Sequence, residues 1–110
     1  MSIIKESKIK EMKFSKVRVK ELLMSDKPSI SIASIKLSGK NEKNKNMLSD
    51  NYYYILSGKG TFIINNKKFN VAKGDLICIQ KNIPYQDSGN LKMLAISVPK
   101  FDPEKVIFLK

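Results

Sequence analysis

Short stretches in which apolar and polar residues alternate recur along the sequence, and turn-forming residues separate them. In residues 14–24, FSKVRVKELLM, Val17 and Val19 alternate with charged neighbours, which is the pattern of a half-buried strand. Further stretches of this kind cover residues 29–37, 51–56, 61–65, 68–71, 76–80 and 91–98. Strands that recur about every 8 to 12 residues are typical of a β-sandwich or barrel. We therefore expect an all-β fold, and a chain of 110 residues holds one such domain.

The stretch SISIASIKL changes its apolar parity halfway along. Ile30 and Ile32 share one parity, whereas Ile35 and Leu37 share the other. Successive side chains of a strand point to opposite faces, so a regular strand would turn one of these pairs outward. An extra residue restores the alignment, and the pattern therefore predicts a β-bulge near Ala33–Ser34.

Two further segments carry local signals. Asn65-Asn66-Lys67 joins two strands, and because asparagine tolerates positive φ, we predict a hairpin turn there. Residues 76–80, LICIQ, are apolar at both parities, which predicts a strand covered on both faces. Cys78 lies in this strand with no base nearby in the sequence, and we expect it to be an inert core thiol.

The segments outside these strands are more polar. Residues 39–50, GKNEKNKNMLSD, predict a long loop. Asp102-Pro103-Glu104 has the N-cap, proline and acid order of a short helix start. Residues 106–109 fit a final edge strand equally well.

Two scarcities narrow the chemistry. Histidine is absent, which removes the commonest general base and the commonest nitrogen ligand for metals. The single cysteine excludes an intramolecular disulfide and an all-cysteine metal site. No apolar run approaches the roughly 18 to 20 residues that cross a bilayer, and no signal-like apolar region opens the sequence. We expect a cytoplasmic protein with no membrane span.

The net charge of +11 comes almost entirely from lysine, since Arg18 is the single arginine among 21 basic residues. Lysine is a mobile point charge, whereas readers of nucleic acid rely on the planar fork of arginine. The lysines are scattered among acids and form no block. We therefore interpret them as a solvated surface and do not expect a nucleic-acid partner.

Between Gly39 and Gly89 the sequence resembles a cupin, and the stretch GKGTFIINNKKFNVAKGDLICIQKNIPY carries most of the resemblance. The spacing of the first cupin motif is kept, with its positions occupied by Gly39, Lys45, Met47, Asn51 and Gly58. The spacing of the second motif is also kept, with Gly74, Gln80, Asn82, Tyr85 and Gly89.

The resemblance implies a cupin-type jelly-roll β-barrel in a single domain, residues 1–110, with residues 1–13 as an arm or edge strand. Gly58 and Gly60 are expected to flank a tight turn between strands, and Gly74-Asp75 another, since glycine adopts positive φ freely. Such turns specify a fold and not an activity.

Cupins that bind a metal hold it with two histidines and a glutamate of the first motif and a histidine of the second. These positions carry Lys45, Met47, Asn51 and Tyr85 here. A lysine is cationic, a thioether is a weak ligand, an amide is neutral, and a phenol stays protonated at neutral pH. We expect no metal and no other cofactor, with a different site around Asp50 and Asp87 as the remaining alternative.

The same motif parity predicts the residues of a ligand pocket. Asn51 and Tyr53 should point into the barrel lumen and share it with Tyr85, as the few polar groups that orient a small ligand on an apolar floor. Lys45 would favour an anionic ligand if it turns inward. Met47 is expected to fill a gap in the apolar lining.

Three functions fit these residues, and the residues alone do not decide whether the chain is an enzyme. The first is a metal-independent cupin that binds a small polar or anionic molecule in the lumen, as a sensor, carrier or accessory protein. The second is a metal-independent isomerase or lyase acting on a sugar or polar acid, with acid–base work by Tyr85, Asp87 or Lys45. The third is a structural or interaction protein with a filled barrel. Apolar residues on both parities of several strands also predict a homodimer.

Overall fold

The computed structural model of the chain describes residues 3–24 and 29–109. Within them are nine strands, β1 (Met12–Phe14), β2 (Val17–Met24), β3 (Ser31–Lys40), β4 (Asn44–Asn46), β5 (Asp50–Ile64), β6 (Lys67–Ala72), β7 (Leu76–Ile79), β8 (Tyr85–Val98) and β9 (Val106–Phe108). Two short 3-10 helices lie at Glu6–Lys8 and Pro103–Lys105. The all-β prediction is confirmed. None of the helices in these ranges is long and apolar enough to cross a membrane.

All pairings between strands are antiparallel, and β8 lies at the centre of the sheet. One edge of β8 pairs with β3 along residues 88–97, and the other pairs with β5 along residues 85–98. Beyond β3 lie β2 and then β1, while β5 also pairs with β6 and β7. The strands β4 and β9 pair with each other, and β4 joins the start of β8.

The sheet curls so that one face encloses an apolar core. Leu37, Ile55, Phe62 and Met93 are fully or almost fully buried there, one from β3, two from β5 and one from β8. Their neighbours in sequence face the other way, because side chains alternate along a strand. The inward-facing positions of these strands therefore build both the core and the functional site.

The glycines near residue 60 do not form the predicted turn, because β5 runs without a break from Asp50 to Ile64. Gly58 and Gly60 instead permit close approach to β8. A Cβ atom at Gly60 would lie 2.2 Å from the backbone oxygen of Ser88, and one at Gly58 would lie 1.9 Å from that of Asn90. The signal in the sequence was real, but its cause is contact between two strands, together with a positive φ of 93° at Gly58.

The predicted bulge lies on the neighbouring strand. The register between β2 and β3 shifts between Glu21, which pairs with Ala33, and Leu23, which pairs with Ile32. Leu22 is therefore the extra residue. Because β3 pairs with β8 in unbroken register, the prediction of a bulge within β3 was wrong.

The strand β7 is covered on one face only. Leu76 is 57% exposed and Cys78 is also exposed, whereas Ile77 and Ile79 are buried. Because side chains alternate along a strand, Leu76 and Cys78 share the outer face of β7, and their exposure shows that no other described element covers it. The predictions of a doubly covered strand and of a buried thiol at Cys78 were therefore wrong.

Several local predictions are confirmed. Asn65 and Asn66 adopt positive φ in the two-residue turn of the β5–β6 hairpin. Near the end of the described chain, the predicted short helix and the predicted edge strand both occur, because a 3-10 helix capped by Asp102 leads directly into β9. Residues 39–50 are only partly a loop, since β3 extends to Lys40 and β4 occupies Asn44–Asn46. At the opposite edge of the sheet, β1 pairs with β2.

Candidate functional site

The curled sheet encloses a cavity of about 380 Å³. Apolar side chains form much of its wall, namely Phe14, Val17, Val19, Ile35, Met93, Phe101, Val106 and Phe108. Polar residues form the rest, namely Ser15, Asn41, Glu42, Asn44, Asn46, Asn51, Tyr53, Tyr85 and Asp87. Because Phe14 and Phe108 are more than half exposed, the cavity opens to solvent at their end.

Strand alternation delivers most of the polar side chains in pairs. β5 supplies Asn51 and Tyr53, and β8 supplies Tyr85 and Asp87, in each case residues two apart. Residues two apart on a strand project from the same face, so each pair enters the cavity together. Asn44 and Asn46 of β4 form a third such pair.

The two tyrosines form a buried hydroxyl pair. Their Oη atoms lie 2.6 Å apart, and either hydroxyl is able to donate. Burial is the main cause that raises the pKa of both phenols above the ordinary value, and the nearby charge of Asp87 raises them further. A hydrogen bond with Asn44 opposes this effect at Tyr85. Both phenols are therefore neutral at physiological pH and act as hydrogen-bonding groups.

Asp87 is the buried carboxyl group of the site. Burial raises its pKa above the ordinary value for aspartate, while a hydrogen bond from Asn41 works in the opposite direction. Asn41 Nδ2 donates to Asp87 Oδ1 over 3.2 Å. A carboxyl group whose pKa is raised and which faces a cavity is able to exchange a proton closer to neutral pH than a solvated carboxyl group.

Asn51 and Asn46 differ in how their amides are satisfied. Asn51 Oδ1 accepts a hydrogen bond of 2.6 Å from the hydroxyl of Ser97. Asn46 Oδ1 accepts from the backbone N–H groups of Leu48 and Ser49. These two donors fix the orientation of the Asn46 amide, because its nitrogen cannot accept. Its Nδ2 is buried and has no partner within the described part of the chain.

The structure brings together three of the five predicted ligand-binding residues. Asn51, Tyr53 and Tyr85 line one cavity, whereas Lys45 and Met47 are not among its lining residues. Lys45 alternates with the inward-facing asparagines of β4 and pairs with Ile107 of β9. Met47 is 40% exposed and follows the end of that strand, so it fills no gap in the lining.

Sequence reasoning missed the asparagines that precede β5. Asn41, Asn44 and Asn46 lie in the segment that was expected to be a loop, although Asn44 and Asn46 are buried. Their period-two spacing was a signal for an inward-facing strand, but a polar alternation of only three residues is indistinguishable from loop composition.

The residues at the cupin metal positions do not fit a divalent ion. Asn51 offers a neutral amide whose oxygen already accepts from Ser97, and Tyr85 offers a phenol whose pKa burial raises. Divalent ions are held by carboxylates, thiolates and imidazoles in such sites. Among residues 3–24 and 29–109, no three His, Cys, Asp or Glu side chains lie close enough together to hold a metal.

Comparison with known proteins gives one sequence relative and many structural neighbours. No model of a known protein family matches the chain. The uncharacterized protein MJ1618 of Methanocaldococcus jannaschii is 35% identical in an alignment of 88 residues, and the match covers 76% of this chain and 70% of that protein.

The solved structures that resemble this fold include proteins of known activity. Pac13 of Streptomyces, a nucleoside dehydratase, superposes with a TM-score of 0.90 at 18% identity, covering 100% of this chain and 92% of that one. Pac13 variants have been solved with uridine. KdgF of Halomonas sp. has a TM-score of 0.84 at 12% identity, covering 94% of this chain and 98% of its own. The polyketide cyclase RemF of Streptomyces resistomycificus has a TM-score of 0.82 at 13% identity, covering 100% of this chain and 87% of its own. At these identities the likeness shows the fold.

Proposed function

Because this chain belongs to the same family as MJ1618 and has a cupin-type fold, we propose that it is a cytoplasmic protein that binds a small, neutral, polar molecule in its barrel lumen. One observation carries the proposal. The side chains of Asn46, Asn51, Tyr53, Tyr85 and Asp87 converge on one cavity whose remaining wall is largely apolar. Pockets for small molecules have this composition, with a few placed polar groups on an apolar surface. The exposed free thiol of the chain is in keeping with a reducing compartment.

The size of the cavity supports a compact ligand. Its volume of about 380 Å³ lies near the lower end of the range of roughly 300 to 1,000 Å³ for small-molecule sites. A sugar or a nucleoside is of suitable size and carries both hydroxyl donors and carbonyl or ring acceptors. That Pac13 acts on a nucleoside supports the same class of ligand for this chain.

The charge of the lining favours a neutral ligand over an anionic one. Within the described residues, the charged side chains that line the cavity are Glu42 and Asp87, and no lysine or arginine joins them. A bound anion would meet a like charge without a compensating cation, and its own desolvation would add to the cost. Lys45, which was considered as a partner for an anion, does not line the cavity.

A second candidate, metal-independent acid–base catalysis by an isomerase or lyase on a sugar or polar acid, rests on a specific observation. Asp87 combines a raised pKa with a place in the same cavity as the hydroxyl pair. In such a reaction Asp87 would accept or return the proton, and Tyr53 or Tyr85 would donate a hydrogen bond to the oxygen on which charge develops. The open cavity counts against the third reading, a structural protein with a filled barrel.

Binding should be tested by thermal shift with a panel of neutral sugars and nucleosides, together with their acid and phosphate counterparts. A ligand that binds the native state raises the melting temperature by mass action. We expect neutral compounds to give the largest shifts, followed by weaker binding of the best compound to the Tyr85→Phe variant by about 1 to 3 kcal/mol, because one polar group of the ligand loses its partner. Tyr54→Phe is the matched control, since Tyr54 lies on the other face of β5 and does not line the cavity.

Three outcomes would contradict the proposal. They are a panel in which only anions bind, a best compound that binds Tyr85→Phe and wild type equally, and a panel without any binder. The two candidate functions separate in a turnover assay with the best compound. Slow conversion that Asp87→Asn abolishes, while binding persists, would favour the acid–base enzyme.

We also propose a homodimer that forms through the outer face of β5, β7 and β8. Tyr54 lies opposite Leu76 on one side and opposite Leu94 on the other, and Tyr54 and Leu76 are 42% and 57% exposed. A second copy that covers this apolar face would remove it from water. Light scattering at micromolar concentration should give twice the chain mass for wild type and the chain mass for Leu76→Lys. A monomeric wild type would refute the proposal.

A further inference from the structure

The pairing of β1, β2, β3 and β8 places four cations in a row on the outer face of the sheet. Lys13 lies opposite Arg18, Arg18 opposite Lys36, and Lys36 opposite Lys92. Directly opposed residues of an antiparallel pair project from the same face, with Cβ atoms about 4.5 to 5.5 Å apart. The sheet therefore gathers on one line four charges that are scattered along the sequence.

This row has an energetic cost, because like charges directly opposite each other destabilise an antiparallel pair. Two carboxylates offset part of it. Glu11 Oε2 lies 3.8 Å from Arg18 Nη1, and Glu6 Oε2 lies 3.7 Å from Lys92 Nζ. Across residues 3–24 and 29–109, Lys36 forms no ion pair. A row of cations with incomplete internal compensation produces a positive potential that attracts anions.

A groove of about 360 Å³ runs along three members of this row, Lys13, Arg18 and Lys36, and Lys92 lies outside it. It is lined by Lys13, Ser15, Lys16, Arg18, Lys36 and Ser38, and we refer to it as the cationic groove. Every one of these side chains carries N–H or O–H donors. The methylene stem of Lys16 lies over Gly39, where a Cβ atom would come within 3.3 Å of it, so that a larger residue would displace this lysine.

We propose that the cationic groove binds a phosphate-chain anion, such as inorganic triphosphate or the phosphate chain of a nucleotide. Arginine, lysine and serine are the donors that contact phosphate oxygens in proteins. Strands lie about 4.8 Å apart, so Lys13, Arg18 and Lys36 on three adjacent strands spread their charges over roughly 10 Å, the scale of a short phosphate chain and not of a single phosphate. No aromatic side chain lines the groove within the described residues, which disfavours single-stranded nucleic acid because its bases stack on aromatic rings.

The proposal is independent of ligand binding in the lumen. Among the lining residues, Ser15 is shared by the cationic groove and the lumen cavity, and the other five belong to the groove alone. The groove lies on the outer face of the sheet, whereas Val17, Ile35 and Leu37 of the same strands face inward.

Isothermal titration of the full chain with sodium triphosphate tests the proposal directly. The Arg18→Gln/Lys36→Gln variant should bind triphosphate at least tenfold more weakly than wild type. Lys68→Gln/Lys73→Gln removes the same charge from exposed positions on and after β6, and it should change the dissociation constant less than twofold. Binding of inorganic phosphate should be weaker than binding of triphosphate, since fewer cations are engaged.

Thermal melting gives a second readout, in which Lys68→Gln is the control for a general effect of net charge and should gain as much from triphosphate as wild type. Without an anion, Lys36→Gln should melt no lower than wild type, because it removes a charge that faces two others. With triphosphate, wild type should gain more in melting temperature than this variant.

Four results would overturn the proposal. They are the absence of triphosphate binding, an equal loss of binding in the two double variants, a Lys36→Gln variant that melts lower without an anion, and a single-stranded oligonucleotide that binds more tightly than triphosphate with the same dependence on Arg18 and Lys36. The last result would assign the groove to nucleic acid instead.

Discussion

Replacing either tyrosine of the buried hydroxyl pair by phenylalanine should destabilise the protein, and the two replacements together should cost less than their sum. Tyr53 and Tyr85 are 8% and 7% exposed, and their Oη atoms lie 2.6 Å apart. Removing one hydroxyl leaves the other without this partner, whereas removing both leaves two apolar rings against each other. A buried polar group that loses its partner costs about 1 to 3 kcal/mol, but removal of both partners is often close to neutral.

The structure also predicts which single replacement costs more. The side chain of Asn44 interacts with the Tyr85 hydroxyl and lowers its pKa, so this hydroxyl keeps a polar neighbour in Tyr53→Phe. In Tyr85→Phe, the Tyr53 hydroxyl loses the one side-chain partner that the described structure gives it. We expect a loss of about 1 kcal/mol for Tyr53→Phe and about 2 to 3 kcal/mol for Tyr85→Phe. The double variant should fall short of the sum by about 1 kcal/mol or more.

Urea unfolding of wild type, both single variants and the double variant measures these free energies in one cycle. The cycle should also be run at high pH, because burial raises the pKa of both phenols above 10.0. Protons are then held more tightly in the folded state, so the extra stability is present below pH 10 and is lost as the pH rises above it. The double variant should lose less stability over this range than wild type.

Additive free energies, within about 0.3 kcal/mol, would refute the reasoning, since contacting groups in one hydrogen bond are expected to couple. A larger loss for Tyr53→Phe than for Tyr85→Phe would show that the bond with Asn44 does not compensate. An alkaline loss of stability that is equal in wild type and the double variant would assign it to other groups.

Three further predictions concern other parts of the molecule. Asp87→Asn should raise the free energy of unfolding at pH 7 and leave it unchanged near pH 3, because a raised pKa means that ionisation of the buried carboxyl costs stability as the pH rises; an equal effect at both values would contradict this. Gly60→Ala should lower the free energy of unfolding by more than about 3 kcal/mol, the scale of severe steric substitutions. The new Cβ atom would lie 2.2 Å from the backbone oxygen of Ser88. Gly74→Ala, with open space around its Cβ, should cost only about 1 to 2 kcal/mol from its positive φ. Urea unfolding of the two glycine variants measures both losses, and a larger loss for Gly74→Ala than for Gly60→Ala would contradict the prediction. Elemental analysis of the purified protein should find no stoichiometric transition metal, because the cupin ligand positions carry a lysine, a thioether, an amide and a phenol; one iron, manganese, nickel or zinc per chain would overturn this.

Glycine shows why a correct signal in the sequence led to an incorrect local structure. The positions of Gly58 and Gly60 were predicted to be special, and they are, but glycine serves both a turn and a close approach of two backbones. Only the identity of the opposing strand separates these uses. That strand, β8, is remote in sequence, and its Ser88 and Asn90 oxygens are what exclude a Cβ atom.

Burial of a strand face is likewise decided by what covers it. LICIQ has apolar residues at both parities, but Leu76 and Cys78 lie on a face of β7 that nothing covers in the described chain. The residues near Asn44 give the converse case. They are as polar as a loop, yet the curled sheet encloses them and turns them into the wall of a cavity.

The sequence by itself determined the all-β architecture, the cupin-type barrel, the Asn65–Asn66 turn, and the presence of Asn51, Tyr53 and Tyr85 on one face of the sheet. The turn and the shared face of Asn51 and Tyr53 depend on local backbone preferences and on the period of two along a strand, both of which can be read from neighbouring residues. The barrel and the place of Tyr85 beside them are what the resemblance to the cupin motifs implied. Tertiary structure alone decided that Asn46 keeps an N–H without a partner among the described residues, that Asp87 is buried beside two phenols, and that Lys13, Arg18, Lys36 and Lys92 stand in one row. Each of these depends on the register between strands that are distant in sequence, and register is a property of the closed sheet, not of any one segment.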